Sequence, residues 1–168
     1  MSKKFNIGVN RTVAVKKQND NLTITISEQG TDKSAEFTAK RWAQFVHWFD
    51  EIDESLQKIA AKQYVKFCMH IGGKWHVSVT TGFACVDLRQ FYYHHTNGPS
   101  PSKKGIALRI SEWNALKDVV AQMNAKYPVL TTTLPCSLQA DHYNQEGGLS
   151  CVECHPYQYD ELFHSATM

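Results

Sequence analysis

An internal repeat constrains this chain more than any other feature. Phe5-Asn6-Ile7-Gly8 followed by Val13-Ala14-Val15 has a counterpart in Met69-His70-Ile71-Gly72 followed by Val77-Ser78-Val79, at a constant offset of 64. Leu22 and Ile24 recur as Val86 and Leu88 at the same offset, and Phe37 and Trp42 recur as Leu108 and Trp113 at an offset of 71. The seven extra residues fall between Tyr93 and Lys103. There His94-His95-Thr96-Asn97-Gly98-Pro99-Ser100-Pro101-Ser102 is rich in turn formers and reads as a loop, where insertions are best tolerated. A chain of 168 residues holds one ordinary domain or two small ones. The repeat selects two.

Each copy reads as four strands and a helix. In the first, Val13 and Val15, then Leu22, Ile24 and Ile26, alternate with polar neighbours at the period of two that marks half-buried strands. From Thr38, a reasonable N-cap, the residues Trp42, Phe45, Phe49, Ile52, Leu56 and Ile59 recur at helical spacing and form one apolar stripe. In the second copy strands are expected over 64–71, 74–80, 84–93 and 104–110. A helix from Ser111 carries Trp113, Leu116, Val120 and Met123 and stops before Pro128. The expected fold class is α+β: two tandem β-β-β-β-α units over 1–62 and 63–127, with curved antiparallel sheets, plus an irregular acidic tail over 128–168. A unit of about 60 residues is marginal alone. The helices are therefore expected to pack together as an intrachain pseudo-dimer that leaves two sheet faces open.

Charge is unevenly spread. All 18 Lys and Arg lie in residues 3–126 with 11 of the 16 acids, whereas the tail beyond holds five acids and no Lys or Arg. A basic body suits a polyanionic partner, and an acidic tail can compete with it or simply aid solubility. No apolar run approaches the roughly 20 residues of a membrane span, and the N-terminus lacks a signal-peptide core. Cys68 and Cys85 fall in strand-like runs and read as buried reduced thiols.

The second copy resembles the C-terminal domain of the transcriptional coactivator positive cofactor four. The resemblance is carried by His70-Ile71-Gly72 with Val77-Ser78-Val79, by Val86-Asp87-Leu88-Arg89-Gln90-Phe91-Tyr92, and by Lys103-Lys104-Gly105-Ile106-Ala107-Leu108 leading to Trp113 and Leu116. It covers residues 69–126; the first copy matches more weakly, and the tail does not match. It implies a non-enzymatic protein that binds single-stranded or unwound DNA with little sequence preference, in transcription, replication or repair. A nuclear location follows from that role, with the cytoplasm as the alternative, and RNA is not distinguished from DNA. The first copy departs from the pattern, with Ser27 near the position of Arg89 and Ser34-Ala35-Glu36 in place of Lys103-Lys104-Gly105.

Strand parity supports this from the residues alone. If Val77, Val79, Val86 and Leu88 face the helix, then His76, Ser78, Asp87, Arg89, Phe91 and Tyr93 face away. A cation among outward rings is what single-strand binders use, with rings stacking on bases and cations following phosphates. Lys74, Trp75, Lys103 and Lys104 extend the expected interface, with closure of a hydrophobic edge the equal alternative for Trp75; Arg11, Lys16 and Lys17 are its candidates in the first copy, with a solvated face as the alternative. The competing reading is a protein-interaction module that kept the fold and lost the groove.

The tail holds Cys136, His142, Cys151, Cys154 and His155. Cys151-x-x-Cys154 is half of a zinc site, which Cys136 and His142 can complete. The alternative is a disordered tail with incidental thiols. No cofactor is required by the main reading, and no catalytic constellation is evident.

Overall fold

The computed structural model describes residues 2–142 and 151–156. Strands β1 (Ser2–Gly8), β2 (Arg11–Gln18), β3 (Asn21–Glu28) and β4 (Ser34–Thr38) form one antiparallel sheet in sequential order. After helices α1 (Ala39–His47) and α2 (Phe49–Ala60), strands β5 (Lys66–Gly72), β6 (Trp75–Thr80), β7 (Phe83–His94) and β8 (Gly98–Arg109) form a second. Helix α3 (Ile110–Lys126) follows it. The class is α+β.

Pairing registers refine the repeat. Phe5 pairs with Val13 and Met69 with Val77, each hairpin carrying an irregularity just before its turn, so β1 and β2 keep the offset of 64. The next pairing differs, because Val13 faces Ile26 whereas Val77 faces Leu88. Ile24 and Ile26 therefore occupy the places of Val86 and Leu88, an offset of 62, and the match of Leu22 to Val86 is corrected. The β6–β7 hairpin is two residues shorter than its counterpart. Ile24 pairs with Phe37 and Val86 with Leu108, which restores the offset of 71. Nine residues, not seven, are thus gained between the third and fourth strands. A slip of two leaves every side chain on its own face, so hydrophobic pattern alone could not detect it.

The inserted residues are not a loop. β7 runs on to His94 and β8 begins at Gly98, with Phe91 opposite Pro101 and Tyr93 opposite Pro99, so most of the insertion lengthens a hairpin. Proline is tolerated there because β8 is an edge strand of the sheet.

Thr38 caps α1 as expected, its hydroxyl accepting from the Arg41 N–H at 3.1 Å. The expected single helix is broken at Trp48, whose N–H bonds to the Phe45 carbonyl before α2 resumes. The apolar stripe survives the break. Phe45 and Phe49 meet Trp113 of α3 at 6.0 and 4.7 Å between ring centroids, and Phe37 and Trp42 complete the aromatic cluster. Trp113 also donates its indole N–H to Asp53 at 2.8 Å, and Lys117 pairs with the same carboxylate. Two helices reach both sheets: α3 lies on β1 and β2 as well as β7 and β8, and α1 contacts β3, β4 and β5, while α2 lies on β6 and β7. One continuous core results.

Two expectations are corrected within this packing. Arg11 is buried, pairs with Glu28 at 3.0 Å and Glu112 at 3.4 Å, and donates to the Ala107 carbonyl. It crosslinks β2 to β8 and α3 from the core side of the sheet. Trp75 is 7% exposed and belongs to the core. Cys68 is the reverse case: it faces outward and is exposed, and Cys85 is half-buried on the same face. The described part of the tail also holds regular structure, where an irregular segment was expected. A short helix α4 (Val129–Thr132) and 3-10 turns at Cys136–Leu138 and Ala140–His142 follow α3, and α4 and the first turn pack on α1.

Candidate nucleic-acid interface and metal centre

Alternation in β5, β6 and β7 sends Val77, Val79, Val86 and Leu88 into the core and leaves His70, His76, Ser78, Asp87 and Arg89 half-buried on the outer face. Three rings cross this face from strand to strand. His70 lies 5.1 Å from His76, and His76 stacks on Phe91 at 4.1 Å with 26° between planes. The irregular pairing between Arg89 and Phe91, with the Phe91 N–H bonded to the Lys74 carbonyl, keeps Phe91 on the side of His76. Burial, and then the neighbouring His70, hold the His76 imidazole down to about 4. At neutral pH it is an uncharged ring.

Arg89 is the cation beside the ring row and is already engaged. Its Nε and Nη2 donate to the two Asp87 oxygens at 3.0 and 2.9 Å, and its Nη1 donates to the Ser102 carbonyl at 3.1 Å. Both side chains remain about a quarter exposed, at 26% and 24%. The bond to Asp87 raises the Arg89 pKa further, so the guanidinium stays charged. Lys74, Lys103 and Lys104 are exposed around this row, at the β5–β6 turn and on β8, and Tyr93 is half-buried in the extended hairpin. Lys16 and Lys17 are exposed on β2 of the other sheet, outside this arrangement.

The first sheet has no such row. Its register places Asn6, Thr12 and Ser27 where the second sheet has His70, His76 and Arg89. Its outer face mixes hydroxyl and amide side chains with Ala14, Lys4, Lys16 and Glu36, and among the described residues it carries neither stacked rings nor an arginine.

His70, Asp87 and Ser102 were not among the expected site residues. Parity puts His70 beside His76, so its signal was present. Asp87 was seen to face outward, but nothing in the sequence announces that it holds Arg89. The Ser102 contact comes from backbone and could only be seen in the fold.

A second cluster lies in the tail. One donor atom from each of Cys136, His142, Cys151 and Cys154 falls within 4.8 Å of all the others, a grouping that could hold a metal. The Cys136 and Cys151 sulfurs are 3.8 Å apart, and His142 Nδ1 is 3.3 Å from the Cys154 sulfur. A tight turn, closed by the His155 N–H on the Cys151 carbonyl, brings Cys151 and Cys154 together. Burial, and then hydrogen bonds from Cys136 and Cys151, push the Cys154 thiol up to about 12.

Fold and site thus define the class: an α+β protein with two antiparallel four-stranded sheets, one of which presents rings beside cations. Residues 69–119 match the family model of the transcriptional coactivator p15 (PC4). That match runs from β5 into α3, and so contains the ring row and Arg89 but neither the first sheet nor the tail. No curated protein and no solved structure matches the chain significantly.

Proposed function

We propose that this protein binds single-stranded DNA with little sequence preference through the outer face of its second sheet, as a non-enzymatic transcription coactivator or replication and repair factor in the nucleus. The reading rests above all on the row His70–His76–Phe91, three rings spanning three strands beside Arg89. Bases stack on such a platform whatever their identity, because every base has a π face, at about 1–3 kcal/mol each. Arg89, Lys74, Lys103 and Lys104 neutralise the backbone, and Tyr93 extends the surface along the hairpin. The match of this segment to a coactivator family supports the same reading.

On this reading the two β-β-β-β-α units are tandem copies of one domain, and the chain is a pseudo-dimer in which only the second copy keeps a stacking face. Units 1–62 and 63–127 each supply one sheet, and the tail after Tyr127 is an appendage. The test is fluorescence anisotropy of a labelled oligothymidine with the full chain. Salt-sensitive binding, weakened by Arg89→Ala combined with Phe91→Ala, is the expected result. An absence of salt-sensitive binding in correctly folded protein would overturn it.

The engagement of Arg89 by Asp87 favours one competing reading, a protein-interaction module whose groove has been neutralised. Affinity capture after nuclease treatment separates the two. A protein partner retained equally well, together with no oligonucleotide binding, selects the module.

A further inference from the structure

We propose that Cys136, His142, Cys151 and Cys154 bind one Zn²⁺, and that the ion folds the tail into a knuckle which inserts Glu153 between the two halves of the molecule. This inference is independent of the nucleic-acid reading.

The donor set is the first argument. Three sulfurs and one imidazole are a structural zinc set, with Zn–S bonds of about 2.3 Å and tetrahedral geometry. In a regular tetrahedron with that bond length the sulfurs stand about 3.8 Å apart. Cys136 and Cys151 are at 3.8 Å, too far for a disulfide and at the spacing of two ligands on one ion. His142 presents Nδ1 toward Cys154, leaving Nε2 turned to Asp141 Oδ1 at 4.0 Å, on the side where an acid commonly orients a metal-bound histidine. Four donors converge from three separate places: a 3-10 turn, the end of a second one, and a turn ten residues or so further along. Unlinked thiols on a surface segment have no reason to converge in this way. On binding, the three thiols lose three protons to solvent and the ion gains three thiolates.

The location is the second argument, and it gives the ion a task. Glu153 lies between two of the ligands and is buried. Its carboxylate accepts from Arg41 Nε and Nη2 at 3.2 Å each and from the Thr38 hydroxyl at 3.2 Å, and its carbonyl accepts from the Gly73 N–H at 2.9 Å. The knuckle thereby joins the start of α1 in the first half to the β5–β6 turn in the second. Ser137, next to Cys136, is bonded both ways to the Gln44 amide at 3.0 and 3.1 Å. Four residues carry the metal, and their neighbours in sequence carry the docking. The Gly73 carbonyl in turn accepts from His70 Nε2 at 2.6 Å, so the knuckle is one residue away from the ring row.

The test is made on the full chain. Protein exchanged into Co²⁺ should show the intense ligand-field spectrum of a tetrahedral thiolate-rich site and should exchange one equivalent of Zn²⁺ for it. Cys151→Ser combined with Cys154→Ser should abolish the spectrum, whereas Cys68→Ser combined with Cys85→Ser should keep it. An octahedral spectrum, or no binding by the unmodified chain, would overturn the site without reference to any variant's folding. Hydrogen exchange reads the fastening: chelation should speed exchange at the Gly73 amide about tenfold or more. A Gly73 rate indifferent to chelation would overturn the clamp and leave the metal site standing.

Discussion

Replacing Asp87 with asparagine should tighten single-strand binding, contrary to the usual result of altering a binding face. Arg89 gives two of its donors to Asp87, so a phosphate that approaches must displace that carboxylate and is repelled by it. For a phosphate about 6 Å from the carboxylate, Coulomb energy runs from about 0.7 kcal/mol in water to about 3 kcal/mol at an effective dielectric of 20. Both side chains are about a quarter exposed, so the lower part of that range applies, and salt reduces it further. The gain is about 1 kcal/mol, or about fivefold in affinity. Asparagine keeps the size of the side chain, and the Ser102 carbonyl still holds Nη1. Titrations of labelled oligothymidine over a range of salt should also show the slope steepening by about 0.7, the contribution of one further phosphate on a single strand. The same substitution in an Arg89→Ala background should leave the slope unchanged. If Asp87→Asn folds normally but binds no tighter at low salt, Arg89 is a structural strut and not a phosphate ligand.

Other consequences follow from the same contacts. Arg11→Ala should cost about 3 kcal/mol in denaturant unfolding, because buried Glu112 loses its cation; a loss under about 0.5 kcal/mol would place Arg11 among ordinary surface pairs. Trp113→Ala should cost about 3–5 kcal/mol by opening the interhelical ring cluster, and Trp113→Phe about 1 kcal/mol for the bond to Asp53. His76 should titrate near 4 by NMR. Its folded pKa lies below the unfolded value of about 6.5, so the unfolded chain takes up the proton first and stability falls as pH drops from about 6.5 toward 4. His76→Phe should flatten that part of the pH–stability curve.

Much of this architecture was legible because sheet pleating is a strict rule. Alternation placed Val77, Val79, Val86 and Leu88 inside and Arg89 outside, and the helical stripe brought Trp42, Phe45 and Trp113 to one core. The same rule bears on two expected interface residues. Arg11 shares the parity of Val13 and Val15, and Trp75 that of Val77 and Val79, so both point inward. Cys68 has the parity of His70 and points outward. In each case residue type and position point opposite ways: arginine suits a groove, tryptophan a rim, cysteine a core. What parity cannot supply is register. The two-residue slip between the hairpins preserves every face, and it was resolved only by hydrogen-bond pairing. The tail's four metal-ligand candidates were legible from spacing, but its docking was not: that comes from contacts with Arg41, Gln44 and Gly73, about 80 to 110 residues away in sequence, and no local pattern encodes such contacts.

Why the tail docks where it does can be argued from the repeat itself. Arg41 and Glu112 stand at matched positions by the offset of 71, and each reaches across to the first hairpin of the opposite half. Glu112 lies against Gly8, where an added Cβ would stand 2.8 Å from its carboxylate oxygen, and it pairs with Arg11. Arg41 packs against Gly72 and Gly73, the equivalent turn, but the residue matching Arg11 there is Trp75. The helix residue has changed sign and the strand residue has lost its charge. An arginine only 15% exposed at a junction between the halves is costly without an acid. Glu153 is that acid, and a hypothetical Cβ on Gly72 would meet its oxygen at 2.7 Å, so the turn's lack of a side chain makes room for it. The second half thus completes its charge pair from outside the repeat. That makes the docked turn a part of the fold's electrostatics, and it gives the turn at Cys151–Cys154 something to position.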